Sequence, residues 1–198
     1  MTCEAVPNRE LAAVVTFLEM REPRHEPMPS SPLKLRRIER PTPDQYRRLF
    51  RLVGCRWLWF SRLIMADEKL AAVIGDPAVE LHVVEEPGGN QAGMVELDFR
   101  EAGRCELAFI GLVPELAGKG HGRWLLAQAL RLAWRDGVSL VHVHTCSLDH
   151  PAALPAYRRA GFVAVGRAIE RFPDPRLIDI LPPDCAPQVP LLGTDTST

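Results

Sequence analysis

At residue 79 the spacing of apolar side chains changes from helical to alternating, and near residue 118 it changes back. Val79 to Val84, Gly93 to Phe99 and Arg104 to Val113 read as three strands. They are separated by Pro87-Gly88-Gly89-Asn90 and Glu101-Ala102-Gly103, so two tight connections join them into an antiparallel meander. After Gly118 to Gly122 a helix opens, with Gly122, Leu125, Leu126, Ala129, Leu130 and Ala133 on one apolar stripe. Such a stripe must pack against the sheet. Gly137 ends the helix, Leu140 to Thr145 reads as a strand, Pro151 to Arg159 as a short helix, and Phe162 to about Ile169 as a last strand. The strand, helix, strand order implies a right-handed parallel crossover and an α/β fold with a mixed sheet.

Upstream, Thr42-Pro43-Asp44-Gln45 carries a capping box with proline at the first helical position, and Tyr46, Leu49, Phe50 and Val53 follow on one face. A second helix, capped by Asp67, carries Leu70, Val73 and Ile74. Residues 13 to 20 suit a strand, after which Pro23, Pro27, Pro29 and Pro32 make a linker; Leu33 to Ile38 suits another strand. The extra strand at 13 to 20 is available to pair with a second subunit's sheet edge, giving a homodimer. The tail from Pro182 is expected to be mobile. The divisions are thus 1–32 (strand and linker), 33–172 (main α/β domain) and 173–198 (Pro-rich tail).

With 198 residues, 46% of them hydrophobic and 25% charged, the chain has enough apolar material for one large domain. A net charge of -1 gives no global field for nucleic acid or an anionic membrane, and the longest uncharged apolar run, Leu11 to Leu18, is too short to span a bilayer. Neither partner is expected. Glu4, Arg9 and Glu10 do not suit a signal peptide, and the cysteines, Cys3, Cys55, Cys105, Cys146 and Cys185, are odd in number with no paired spacing. Reduced thiols and a cytoplasmic setting are the expectation.

The glycine turn Gly118-Lys119-Gly120-His121-Gly122-Arg123 stands between a strand and a helix N-terminus, where convergent backbone N–H groups suit a phosphate. The same sequence also suits a plain tight turn. It lacks the Lys-Ser/Thr end of a P-loop, and its glycine spacing is not that of a dinucleotide fold. A nucleotide-binding α/β protein is further disfavoured by the meander that precedes it.

Leu112, Pro114, Gly118, Gly120 and Gly122 resemble the acyl-CoA-binding motif of the GNAT superfamily of N-acetyltransferases. Ala153, Tyr157, Gly161 and Phe162 resemble that family's second motif. The resemblance covers roughly residues 33 to 170. It implies a mixed, mainly antiparallel central sheet, helices on both faces, and a V-shaped splay between the fourth and fifth core strands. It also implies acetyl-CoA as co-substrate, no metal, and direct transfer of acetyl to a primary amine of a small molecule or peptide in a ternary complex. Ile110, Leu112, Val113, Ala117, Gly118, Lys119, Gly120, His121, Gly122, Arg123, His150, Ala153 and Tyr157 are then the coenzyme-binding positions. Ala117 departs from the usual Arg or Gln and His150 from the frequent Asn, which leaves the grip on diphosphate to main-chain amides, aided by Lys119 or Arg123. A non-catalytic CoA-binding sensor or interaction module of the same fold is the alternative.

Amine attack requires a base, since an alkylammonium has a pKa near ~10. Glu106 is the candidate: alternation puts it on a strand face with Ala108, Ile110 and Leu112, an apolar setting that would raise its pKa, and it matches the catalytic glutamate of the family's histone-type branch. A sheet-edge salt bridge is its other reading, and Glu96 is the reserve base. The resemblance implies an oxyanion-stabilising N–H at Leu112 and makes Tyr157 the general acid for the departing thiolate. His142, His144 and Cys146 alternate along one strand without a completing carboxylate at ligand spacing; His144 or His150 also suits a base or a substrate-orienting group. Trp57, Trp59 and Phe60 suit either core packing or an acceptor pocket, with Arg56 and Arg62 beside them.

Overall fold

The computed structural model describes residues 3–24 and 26–193. The chain order is β1 (Glu10–Met20), β2 (Lys34–Ile38), α1 (Pro43–Gly54), α2 (Asp67–Ile74), β3 (Val79–Glu85), β4 (Gln91–Asp98) and β5 (Arg104–Leu112). It continues with α3 (His121–Ala133), β6 (Leu140–Cys146), α4 (Ala153–Ala160) and β7 (Val163–Pro173). The capping box at α1 forms as its sequence dictates, Thr42 Oγ1 accepting from the Gln45 N–H and Gln45 Oε1 from the Thr42 N–H. At α2 the N-cap is Ala66 rather than Asp67, which lies in the first turn, where its charge still favours the helix N-terminus.

The strands form one mixed sheet in the order β2-β3-β4-β5-β6-β1-β7, with helices on both faces. The α3 and α4 side buries the larger core, around Leu18, Val95, Leu107, Leu125 and Val141. The α1 and α2 side buries Tyr46, Leu49, Phe50, Leu70, Val83 and Met94. β3, β4 and β5 form the expected meander, antiparallel throughout. β5 and β6 are parallel but pair only from Arg104 opposite Leu140 to Glu106 opposite His142, then part into the V-shaped splay.

Three expectations are corrected. β1 pairs with β6 on one side and β7 on the other, so its edges are filled from within the chain and none is left for a second subunit. Nor is the tail free as far as residue 193. Leu181, Cys185 and Ala186 are buried against Leu58, and the buried Arg176 clamps Asp174 (Nη2 to Oδ2 2.6 Å) while donating to the carbonyl of Val189 (2.9 Å). The Thr/Ser-rich end, 194–198, lies outside the described residues. Finally, Cys55 and Cys185 form a disulfide, 5.3 Å apart at Cα, which removes the cysteine argument for a reducing compartment. Spacing hides this pair because it joins residues 130 apart in sequence.

Closing so long a loop restricts the unfolded chain strongly. Reduction should therefore cost about 2–4 kcal/mol and lower Tm by roughly 5–10 °C. Thermal melts with and without reductant check this, and the difference should vanish in Cys185→Ser.

Candidate active site

A bulge in β5 decides which side chains reach the splay. Leu97 pairs with Leu107 but Glu96 pairs with Phe109, so Ala108 is an extra residue and the inside–outside alternation inverts there. Leu107, Ile110 and Leu112 therefore face the α3 side together. Phe109 packs on the α1 side, with ring centroids 4.8 Å from Phe50 and 5.3 Å from Trp59. Glu106 consequently does not share a face with Ile110 and Leu112 as simple alternation requires; it shares one with Phe109.

On the α3 side, Pro114–Leu116 form one 3-10 turn and the chain then passes through Gly118 (φ +75°) and Gly120 (φ +82°) into α3. Positive φ is cheap only for glycine, and no atom lies within 4 Å of where a Cβ would stand at either position. No main-chain carbonyl among the described residues accepts from the N–H groups of Gly118 to Gly122, which therefore remain available to an anion, with the α3 N-terminus behind them. Of the charged neighbours, Arg123 pairs with Glu26 (3.4 Å), and the His121 ring bonds Ser31 (Nδ1 to Oγ 3.0 Å). Both contacts come from the Pro-rich segment after β1, which crosses this side of the cleft.

A single cavity of about 1210 Å³ runs from this loop through the splay to the opposite face. Ile110, Leu112, Val113, Ala117, Ala153 and Tyr157 line its α3 side, together with Gly118, Gly120, Gly122 and Arg123. Trp57, Trp59, Phe60 and Phe172 wall the other end, and His150 stands beside Trp57 with ring centroids 5.1 Å apart. The aromatic segment thus lines the cavity and also joins the core, since Trp59 packs on Phe50. Lys119 and His121 do not line the cavity.

Asp149 holds this end together. Its Oδ1 accepts from Trp59 Nε1 (3.2 Å), and its Oδ2 accepts from the Thr145 hydroxyl and the Cys146 N–H, both at 2.8 Å. One carboxylate therefore fixes both the indole and the exit of β6. Sequence reasoning passed over it in favour of His150; an Asp just after a strand, able to bond backbone two or three residues away, was the available signal.

Tyr157 is buried and packs edge-on to Phe162, with its hydroxyl unpartnered among the described residues. Burial raises its pKa, so the phenol stays protonated at neutral pH. Glu106 Oε1 lies 3.4 Å from His144 Nδ1. This contact lowers the Glu106 pKa despite its partial burial, reversing the expected rise, and raises that of His144. Glu96 is fully buried; it accepts from the Tyr46 hydroxyl and, at 2.5 Å, from Arg62 Nη2. It is a structural ion-pair member and does not line the cavity. His142, His144 and Cys146 do share a face, but among the described residues no group of three His, Cys, Asp or Glu side chains can hold a metal ion.

Residues 43–162 match the acetyltransferase (GNAT) family. The chain is a member of that family. That family is one of acetyltransferases, and the fold of this chain is the GNAT fold. The mycothiol acetyltransferase of Clavibacter michiganensis subsp. michiganensis is 34% identical over 96 residues, 48% of this chain and 30% of that protein. A GCN5-related N-acetyltransferase from Sphaerobacter thermophilus superposes with TM-score 0.57 at 20% identity, covering 81% of this chain and 51% of that one. The spermidine N-acetyltransferase of Vibrio cholerae, solved with CoA and spermine, superposes with TM-score 0.55 at 23% identity over 75% of this chain and 99% of that one. The chain thus spans about a third of the mycothiol enzyme and half of the Sphaerobacter protein.

Proposed function

We propose that this GNAT domain moves the acetyl group of acetyl-CoA to a primary amine of a small molecule or peptide, by direct attack in a ternary complex. The observation that carries the reading is the continuity of the cavity through the splay: a coenzyme laid along the glycine loop and an acceptor entering past Trp57 and Phe60 meet where β5 and β6 part. A spermidine N-acetyltransferase with the same fold supports an amine acceptor.

The chain's residues divide the work by position. Amides of Gly118 to Gly122 bind diphosphate, taking over from the missing side chain at Ala117. The edge of β5 freed by the splay, at Ile110 and Leu112, bonds the pantetheine, and the Leu112 N–H is the oxyanion donor. Ala153 and His150 bound the thioester end. Glu106 supplies negative charge beside the acceptor end, and Tyr157 protonates the leaving thiolate.

Release of free thiol from acetyl-CoA over a panel of amines tests the reading. Turnover supports it, and coenzyme binding without turnover on any amine would establish the sensor alternative, which the Ala117 departure favours. Tyr157→Phe should lower kcat by about 100-fold while leaving coenzyme affinity unchanged. An equal loss of affinity would mean that the hydroxyl serves to bind the coenzyme rather than to protonate the leaving thiolate.

A further inference from the structure

The Glu106 carboxylate does not line the cavity, whereas His144 does. Glu106 is the last residue of β5 paired with β6, opposite His142; His144 lies one step further on the same face, just beyond the last paired residue, where the strands have parted. There the Glu106 side chain is 31% exposed and that of His144 50%, with Nδ1 3.4 Å from Oε1. Phe17 of β1 stands on the far side of the imidazole, 6.3 Å between centroids. A carboxylate at Nδ1 favours the tautomer with the proton on that nitrogen, which leaves the Nε2 lone pair free.

We propose that His144 is the group that takes the proton from the acceptor amine, and that Glu106 is a positioning residue acting through it. This rests on the acetyl-transfer reading above and deepens it. The ammonium proton passes to Nε2, and the imidazolium formed is stabilised by the adjacent carboxylate. The freed nitrogen lone pair attacks the thioester carbon, forming the C–N bond. Collapse of the intermediate breaks the C–S bond, the thiolate takes the Tyr157 proton, and the nitrogen gives its second proton to solvent to leave the neutral amide. Exchange with solvent restores both side chains. No further co-reactant enters.

The ionisable groups facing this ring come from several elements. Glu106 on β5, Asp149 after β6 and Glu170 on β7 all favour its protonated form, Glu106 most strongly. Asp98 of β4 lies opposite Glu106, Glu19 of β1 lies opposite His142, and His142 itself favours the ionised form of Glu106. The cation of the α1 side, Arg62, is spoken for by Glu96. An acidic surround suits a cationic acceptor and holds the imidazolium until it exchanges.

His144→Gln and Glu106→Gln, each compared with wild type, test the assignment through amine turnover across pH, acetyl-CoA affinity by calorimetry, and titration of the His144 ring by NMR. His144→Gln should lose about 10²–10³-fold in kcat, keep its acetyl-CoA affinity and lose the acid limb of the rate profile. Glu106→Gln should lose less. Because Glu106 raises the His144 pKa, its removal should move the ring titration and the acid limb together to lower pH. If Glu106→Gln costs more than His144→Gln, or the acid limb survives in His144→Gln, the carboxylate is itself the base and the assignment falls. A ring titration unmoved by Glu106→Gln, readable without any acceptor, also overturns it. Failure of the acetyl-transfer reading shows differently, as no thiol release by wild type, and takes this step with it.

Discussion

Arg62→Met should lower stability by about 3–5 kcal/mol, seen as a fall in Tm of roughly 10 °C or more. The Arg62 guanidinium bonds Glu96 and lies over the Phe109 ring, 5.2 Å from its centroid. Glu96 is fully buried, and without Arg62 its only remaining side-chain bond among the described residues is from the Tyr46 hydroxyl. An uncompensated carboxylate among Tyr46, Phe50 and Met94 costs far more than the loss of one cation from the surface. Replacing both ions avoids that cost, so Arg62→Met with Glu96→Leu should recover most of the stability. Melting curves of the three proteins decide it; a double variant no more stable than Arg62→Met would show that the pair contributes through specific geometry rather than mutual neutralisation.

Gly120→Val should weaken acetyl-CoA binding by about 100-fold, equivalent to ~2.7 kcal/mol. The residue is the N-cap of α3 at φ +82°, and a left-handed conformation costs an ordinary L-residue about 1–2 kcal/mol, with β-branched side chains worse. The loop can relieve that strain only by rotating peptide units, and the peptide units are what aim the N–H groups. Gly122→Ala is the matched control, since Gly122 lies within α3 with open space around its Cα and needs no unusual φ. Calorimetry on folded protein should show a large loss for Gly120→Val. Equal affinity in wild type and Gly120→Val would mean the diphosphate is held elsewhere.

Local signals carried the meander, the glycine turn and the capping box at Thr42, because each is written in adjacent residues. What failed was whatever depended on a partner far along the chain. The face of Glu106 depends on a bulge that exists only in the pairing of β5 with β4, since Ala108 looks like any other strand residue on its own. A carboxylate assigned to an apolar face was therefore assigned a raised pKa, and both errors have one cause. The Cys55–Cys185 bond and the seat of the tail on Leu58 failed for the same reason. So did the neighbours of β1: its alternation marks it as a strand but carries no information about which edges it meets. Motif brought Tyr157 and the glycines, which line the cavity, into the candidate set, whereas Asp149 was missed because its contacts, to Trp59 and the end of β6, cross ninety residues in one direction and four in the other.

The place of β1 between β6 and β7 also bears on how the molecule comes into being. During synthesis this segment leaves the ribosome more than a hundred residues ahead of either strand it will join. Contacts of such sequence separation close late and slowly, because a long loop must be ordered before it is rewarded. The meander and α3 can assemble from nearby residues while β1 waits as an unpaired apolar ribbon, and β7 has no neighbour until β1 is seated. Nascent chains stalled before residue 163 should consequently depend on chaperones more than the finished protein does.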